Sequence, residues 1–366
     1  MGTSSHNNNN KLGRTFNILL LGFHLIVFIL LCLSGYGCML HPSIHPWLVS
    51  ASLAFGPILL VYCLLSLMWL FLHPQWFASS IIGLLLCSVP IRTYIPVNFS
   101  KSFSDGNIIK ILSYNVNDFS KNDADKRTVI LDFIHSNNAD ILCLQEANYL
   151  PSQKRMMDTI MSPWEYKDTT MFYYNTLSIY TRFPIIDKCK VQGPDAPHGA
   201  VIYRLKTETD TIVVINSHFI SNAISKEDKT LFKEVVKQPT KEDTKSNIHY
   251  LARKVDEAGI LRAQQSDTLI KYIKTLSHFP IILCGDFNDS PLSYVHSQLT
   301  SVLNDSFTRG GCGPGITYHE AGMFFRIDHI LCSQHWNVLK SKVRSDIKGS
   351  DHYPICSWLQ LDPPTQ

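Results

Sequence analysis

The sequence predicts two unlike parts: an α/β domain of two packed β-sheets with helices outside, and, before it, an N-terminal transmembrane helical region. Three observations carry this. The composition breaks near residue 100; three apolar runs crowd the segment before the break; and short apolar strand patterns alternate with polar helical ones after it. Of the 366 residues, the first 100 contain no Asp or Glu and three basic residues, Lys11, Arg14 and Arg92. All 30 acidic residues and the remaining Lys and Arg lie in 101–366, which is formally neutral. A neutral domain argues against tight, sequence-independent nucleic-acid binding, which draws on a basic face.

The apolar runs are 16–33, 48–72 and 76–90. A helical span takes roughly 20 apolar residues, so the third crosses only if it continues past Pro90. Pro57 is a candidate kink in the second. A cleaved signal peptide would explain the first run alone but not three in succession. The expected organisation is a polar cytoplasmic tail over 1–14, including the HNNNN tract, three membrane helices over 15–97, and a catalytic domain over 98–366. Lys11 and Arg14 hold the N-terminus in the cytoplasm by the positive-inside rule, so three spans, the expected number, place the domain on the non-cytoplasmic side, whereas two spans with a re-entrant or interfacial third return it to the cytoplasm. No Asp, Glu, Lys or Arg interrupts the runs before Arg92, and such groups mark ion paths, so the segments read as an anchor and not a transporter.

From Asn107 onward, strand patterns rich in Ile and Val occupy 108–116, 139–146, 177–185, 200–207, 211–219, 280–287, 326–332 and 354–361, bounded by Gly, Pro, Asn or Asp. Helical patterns occupy 123–137 and about 246–275. Residues 221–250 read as a solvated insertion leading into the second helix. Several strands are apolar on both faces and others alternate, which suggests two packed sheets with helices outside. The ten cysteines form no CxxC pair or zinc spacing; Cys143, Cys284, Cys332 and Cys356 sit in strands as small hydrophobes.

The chemistry gathers at strand ends. Asn115 follows ILSY, Glu146 ends ILCLQ, His218 ends VVINS, and Asp286 and Asn288 end IILCG. Asp328 lies in FRIDHIL, and Asp351 and His352 precede YPICSW. Taken singly, each has an ordinary explanation: a turn residue for Asn115, a core histidine for His218, an Asx turn for Asp286 and Asn288. Asp328 is harder to dismiss, because a carboxylate in an apolar strand is costly unless paired. Together they form an oxygen-rich set with few thiols, which suits a hard cation such as Mg²⁺, with Mn²⁺ also accepted.

The ordered blocks SYNV, LQE, YTRFPI, INSHF, GDFN, RIDHIL and GSDHYPI resemble those of the endonuclease/exonuclease/phosphatase superfamily, over roughly residues 107–361. The resemblance implies a four-layer α/β sandwich of mixed sheets and a metal-dependent phosphoesterase. It implies Glu146 as the main metal carboxylate, with Asn115 beside it and Asp351 completing the acidic cluster. Asp286 would orient or deprotonate the attacking water, and Asn288 would hold that water or a phosphate oxygen. His352, positioned by Asp328, would contact the phosphate, and His218 would be the general acid. One departure stands out: Asn117 replaces the Asp that apurinic endonucleases carry two residues after the first-block Asn, which weakens a second metal site. The expected partners are a phosphate ester (a lipid headgroup, a nucleic acid or a small phosphoester) and the bilayer, with no obligate protein partner. An exported nuclease and a catalytically inactive phosphate-binding module are the alternatives.

Overall fold

The structure is a computed structural model that describes residues 3–99, 107–173, 175–192 and 197–361, with side chains from residue 14 onward. Its strands are β1 (Ile108–Asn115), β2 (Ile141–Gln145), β3 (Tyr166–Phe172), β4 (Asn175–Thr181), β5 (Ile185–Gln192), β6 (Gly199–Lys206), β7 (Thr211–His218), β8 (Ile281–Asp286), β9 (Asn304–Asp305), β10 (Asp328–Cys332), β11 (Trp336–Val343) and β12 (Ile355–Leu361). They form two six-stranded sheets, in the orders β11-β12-β1-β2-β4-β3 and β5-β6-β7-β8-β10-β9. Among the described residues, only β1–β2 and β7–β8 pair in parallel.

The helices are α1 (Thr3–Tyr36), α2 (Trp47–Leu53), α3 (Phe55–Leu72), α4 (Pro74–Leu86), α5 (Ser88–Tyr94), α6 (Ala124–Asn137), α7 (Lys154–Ile160), α8 (Lys226–Lys237), α9 (Thr244–Thr275), α10 (Tyr294–Thr300) and α11 (Ser306–Gly310). Burial explains the layers. Ile111, Ile141 and Ile179 of one sheet meet Val201, Val214, Ile282 and Ile330 of the other. The first sheet's outer face, with Leu112, Leu142 and Leu144, is covered by Ile130, Phe133 and Ile134 of α6. The second sheet's, with Val213, Ile215 and Leu283, is covered by Leu269, Ile270 and Ile273 of α9. Central strands buried on both faces read as continuous apolar runs. The result is the four-layer sandwich of mixed sheets that the sequence led us to expect.

Local chemistry sets the ends of these elements. Asp123 caps α6 by accepting from Lys126 N at 3.0 Å, and Asn138 closes it at φ 55°. Between the sheets, Gln145 Nε2 donates to Asn216 Oδ1 at 2.7 Å, and Asn216 Nδ2 donates to Leu144 O and Ser178 O at 3.1 and 3.0 Å. This buried network pins the two sheets together one residue before Glu146 and two before His218.

Several boundaries differ from expectation. The run 177–185 is not one strand: it holds the end of β4, the Arg182–Pro184 corner and the start of β5. The insertion 221–250 is not a plain loop, because Ser225 and Asp228 form a reciprocal capping box that starts α8. Strands β3 and β11 escaped the reading. In β3, exposed and half-buried residues alternate along a sheet edge, so its apolar signal is thin. The HNNNN tract is not a separate tail but lies within α1. The break in the second apolar run falls at Ala54, not Pro57, which sits in the first turn of α3 where a missing N–H costs little.

Two helical segments, Arg14–Met39 and Phe55–Leu72, are long and apolar enough to cross a membrane. The pair α4 and α5, bent by 64° at Cys87, makes a third if it is one span; it does continue past Pro90, to Tyr94. Asn17 contacts His73 at 2.8 Å, Trp69 Nε1 donates to His24 Nδ1 at 2.7 Å, and Tyr36 OH donates to Leu86 O at 2.5 Å. Asn17, near the middle of α1, therefore lies beside the α3–α4 turn, and the end of α1 beside the end of α4. Residues 96 and 98 already dock on the sandwich: Pro96 O accepts from Gly313 N, and Asn98 Nδ2 donates to Thr308 O and Gly311 O.

Candidate active site

Strand register builds half of the site. His218 pairs with Asp286 across β7–β8, and Asp286 with Asp328 across β8–β10, so the three lie in one row. Gly285 permits this close approach: its φ is +142°, and a Cβ there would sit 1.8 Å from Ser217 O. The other sheet supplies Asn115 at the end of β1, Glu146 after β2, and Asp351 and His352 before β12. Two site residues sit at left-handed backbone positions, Glu146 at φ 50° and Asn288 at φ 53°. Each turns the chain sharply out of its strand, and non-glycine residues hold such geometry only when their surroundings impose it.

Asn115 joins the two halves. Its Nδ2 donates to Glu146 Oε1 at 3.1 Å and to Asp286 Oδ2 at 3.0 Å, while its Oδ1 accepts from Asn117 N at 3.1 Å. Asp286 Oδ1 accepts from Asn288 N at 2.8 Å, and Asn288 Nδ2 donates to Phe219 O at 3.0 Å. His352 Nδ1 meets Asp328 Oδ2 at 2.8 Å, and its Nε2 lies 3.7 Å from Asp286 Oδ2. His218 Nε2 lies 3.5 Å from Asp286 Oδ2 and 3.8 Å from Glu146 Oε1. Asp351 Oδ1 accepts from Asn117 Nδ2 at 3.0 Å, and Lys229 Nζ lies 4.0 Å from its Oδ2. All eight expected residues therefore lie in or beside one cluster, with Asp351 at its rim.

The electrostatics follow from burial and neighbours. Burial, then the Asp328 charge, push the Asp286 carboxyl up to about 7. Desolvation also raises Glu146, with Asp351 and Asp118 adding to it against the Asn115 hydrogen bond. Burial pulls His352 down, but Asp328 and Asp286 overcome it and hold the imidazolium to about 10. Burial drives His218 well below its ordinary value, so its ring is neutral. Asn175 Nδ2 donates to His218 Nδ1 at 2.7 Å, which leaves the ring proton on Nε2, facing the carboxylates.

The donor set fits a divalent cation. Glu146 and Asp286 are both raised, as carboxylates short of counter-charge are, and Asp328 Oδ1 is buried without a hydrogen-bond partner among the described residues. Hard oxygen ligands of this kind suit Mg²⁺. Asp286, Asp328 and His352 bring ligand atoms within 4.8 Å of one another; Glu146 and Asp351 would add carboxylates beside them, and Asn115 its oxygen after a half-turn of the carboxamide.

Comparison with known proteins agrees with this geometry. Residues 112–352 match the Endonuclease/Exonuclease/phosphatase family. The chain belongs to that family. Family members hydrolyse phosphoester bonds, and this chain is a hydrolase of that class. Residues 17–94 match a domain of unknown function. Similar solved structures include the endonuclease/exonuclease/phosphatase of Bacteroides vulgatus, at 17% identity, covering 70% of this chain and 100% of that one, with a TM-score of 0.51. The human Nocturnin catalytic domain with bound sulfate anion is 14% identical, covers 70% and 97%, and gives 0.51. The Beutenbergia cavernae endonuclease/exonuclease/phosphatase is 14% identical, covers 70% and 72%, and gives 0.50. At these identities the likeness is one of fold. A search of curated proteins gives no match.

Sequence reasoning missed the residues that hold this family site in place. Ser350 Oγ donates to Asn115 O at 2.8 Å, and Thr317 Oγ1 accepts from Asp328 N at 3.0 Å. Tyr318 packs edge-on against His352 at 5.1 Å, and His198 edge-on against His218 at 4.6 Å. Burial takes His198 down to about 4. Of these, only Ser350 carried a signal, being next to Asp351 and His352. Asn117–Ser120 form a left-handed turn, φ 45–52°, tied down by Asp118 N to Glu146 O and Ser120 Oγ to Gly349 O.

A second buried group, His296, Asp305 and His329, lies behind the site. The Asp305 carboxylate is already engaged by Phe307 N, Thr308 Oγ1 and His296 Nε2, and the buried Arg326 stands within electrostatic reach. This is a closed structural network with a cation beside it, a poor place for a metal ion.

Proposed function

We propose that the chain is a membrane-anchored, Mg²⁺-dependent phosphoesterase that hydrolyses a phosphodiester or phosphomonoester by attack of water. The observation that carries this reading is the His218–Asp286–Asp328 row, joined through Asn115 to Glu146 and through Asp328 to the His352 imidazolium. A cation held by Glu146, Asp351 and Asn115 would offset negative charge on the phosphate. Asp286, raised to about 7, takes a proton from water near neutral pH. His352 is a fixed positive charge against the phosphate oxygens, kept in place by Asp328. Neutral His218, with its proton on Nε2, donates to the leaving oxygen. Asn288, anchored to Phe219 O, frames the water position. Five residues of this set, Asn115, His218, Asp286, Asp328 and His352, are no more than 5% exposed without being apolar, which favours an enzyme over an inactive binding module.

Three passes, α1, α3 and α4 with α5, support a topology with residues 1–14 cytoplasmic and the domain from residue 98 non-cytoplasmic. Asn17 lies at the α3–α4 turn, the end of the bundle away from the sandwich, and Lys11 and Arg14 precede it on α1. An enzyme held at a bilayer, with a neutral domain, fits a lipid headgroup or small phosphoester better than duplex nucleic acid.

The test uses full-length protein in phosphatidylcholine nanodiscs, with Mg²⁺ or chelator, against sphingomyelin-type and glycerophospholipids, duplex DNA, RNA and soluble phosphate esters. Asp286→Asn lowers turnover by roughly 10³-fold, in line with loss of a general base. Undiminished turnover in chelator or in Asp286→Asn would overturn the assignment, and duplex DNA cleaved far faster than any lipid would overturn the substrate class.

A further inference from the structure

The active-site loop has one end on β8 and the other among the membrane helices. Ser290 Oγ donates to Ser52 Oγ of α2 at 3.3 Å, and Leu292 is buried in the same apolar cluster as Leu31, Phe55, Leu59 and Cys87. A second connection runs through α9. A Cβ on Gly259 would sit 2.7 Å from both γ-carbons of Val49, so the Val49 side chain of α2 packs directly onto the α9 backbone there. One turn away, Ser50 N donates to Asp256 Oδ1 at 2.9 Å. A mid-helix glycine is unfavourable relative to alanine, and the close approach is its physical reason.

One turn further along α9 lies Arg262, fully buried. Its Nε donates to Asp289 Oδ2 at 3.1 Å, and its Nη1 to Ile220 O at 3.1 Å and Asn222 Oδ1 at 2.7 Å. It thereby ties the exit of β7, just past His218, to the exit of β8, just past Asp286 and Asn288. The Phe219 and Phe287 rings stack at 5.3 Å across the same gap.

We propose that the N-terminal helices are a positioning element of the active site: through Val49–Gly259 and Arg262, and through Ser52 and Leu292, they hold residues 286–292 in their working geometry. This rests on the function proposed above. Displacing a catalytic group by about 1 Å costs on the order of 10²-fold in rate, so a small shift of the bundle reads out as turnover.

The experiment uses full-length protein in phosphatidylcholine nanodiscs and two readouts, kcat and KM on the preferred ester, and amide hydrogen exchange at 287–292. Gly259→Ala pushes α9 off α2; kcat falls about tenfold with KM little changed, and exchange at 287–292 quickens while β1 and β2 do not change. Adding Val49→Ala removes both clashing γ-carbons and restores both readouts. Leu292→Ala, which loosens the loop without touching α9, gives the same signature should Gly259→Ala fail to fold. Lys271→Ala, exposed on α9, changes neither. A lower melting temperature with kcat and loop exchange both at wild-type values would overturn the proposal. If the wild type turns over nothing, the function reading falls, and loop exchange alone decides this one.

Discussion

In the N-terminal helices Leu19, Leu64 and Leu85 are 68%, 58% and 66% exposed, whereas in the catalytic domain His218, Asp286 and Asp328 are 2%, 1% and 1% exposed. One region shows apolar side chains to its surroundings and the other hides ionisable ones. Each inversion has its own cause. Exposed leucines are stable where the surroundings are lipid, and buried carboxylates are stable where each has a donor or a cation beside it. The comparison teaches that exposure alone does not say what a position tolerates: the solvent it faces and the partner it holds decide.

The sharpest way to break the comparison is to remove one buried partner. Asp328→Asn leaves the His352 imidazolium without its nearest counter-charge. Unpairing a buried charge costs about 3–5 kcal/mol, so the variant loses stability and turnover together. Its pH profile shows more. His352 is held to about 10 in the folded protein, so in the wild type its charge, and activity that depends on it, persist until the pH approaches that value. In Asp328→Asn the alkaline limb moves down toward the ordinary histidine range. An alkaline limb that stays in place would show that Asp328 does not hold the proton on His352.

A charge placed on an exposed leucine tests the other half. Leu30, 46% exposed, and Met171, 63% exposed, look alike by exposure. Leu30→Lys sits within the Arg14–Met39 span and costs roughly 2.5–3.5 kcal/mol if that span is in a bilayer. Met171→Lys lies on β3, at the edge of a sheet facing water, and changes stability by no more than about 0.5 kcal/mol. Carbonate extraction of membranes reads the first and thermal unfolding the second. Equal effects at the two positions would remove the case for a membrane-spanning α1.

What the sequence made legible follows the same division. The sheet-end residues could be read because an apolar strand that stops on a polar group leaves a sharp edge, as IILCG does at Asp286. The α6 and α9 helices could be read from periodicity; which strands pair in parallel could not, because pairing direction leaves no mark on a single strand's pattern. The edge strand β3 could not, since one of its faces meets water and its apolar content is low. Nor could the supports of the site: Asn175, His198 and Thr317 lie far along the chain from the residues they hold, and nothing local distinguishes them from ordinary loop and strand residues. Arg262 is the clearest case. In sequence it is one more charge on a polar helix, and only the fold shows that it is fully buried and ties together the exits of two catalytic strands.

The smallest expected effect concerns acid. His198 is held down to about 4 by burial, and burial also drives His218 and His329 well below the ordinary value. In the unfolded chain all three take up a proton near pH 6.5. Between pH 6.5 and about 4 the unfolded state therefore binds more protons than the folded one, so stability rises with pH across that window and is lost as pH falls through it. Asp286 and Glu146, raised in the folded protein, work in the opposite direction as pH falls, so the histidine contribution is read by comparing variants and not from the wild-type curve alone. The comparison is thermal unfolding of the full-length protein in chelator, followed from pH 7 to pH 4. In His198→Asn the midpoint falls less steeply, while a variant of an exposed histidine, His278→Asn, follows the wild type. A slope unaffected by His198→Asn would mean that this ring, packed edge-on against His218, already carries its proton in the folded state, and the neutral tautomer assigned to His218 would then face a positive neighbour.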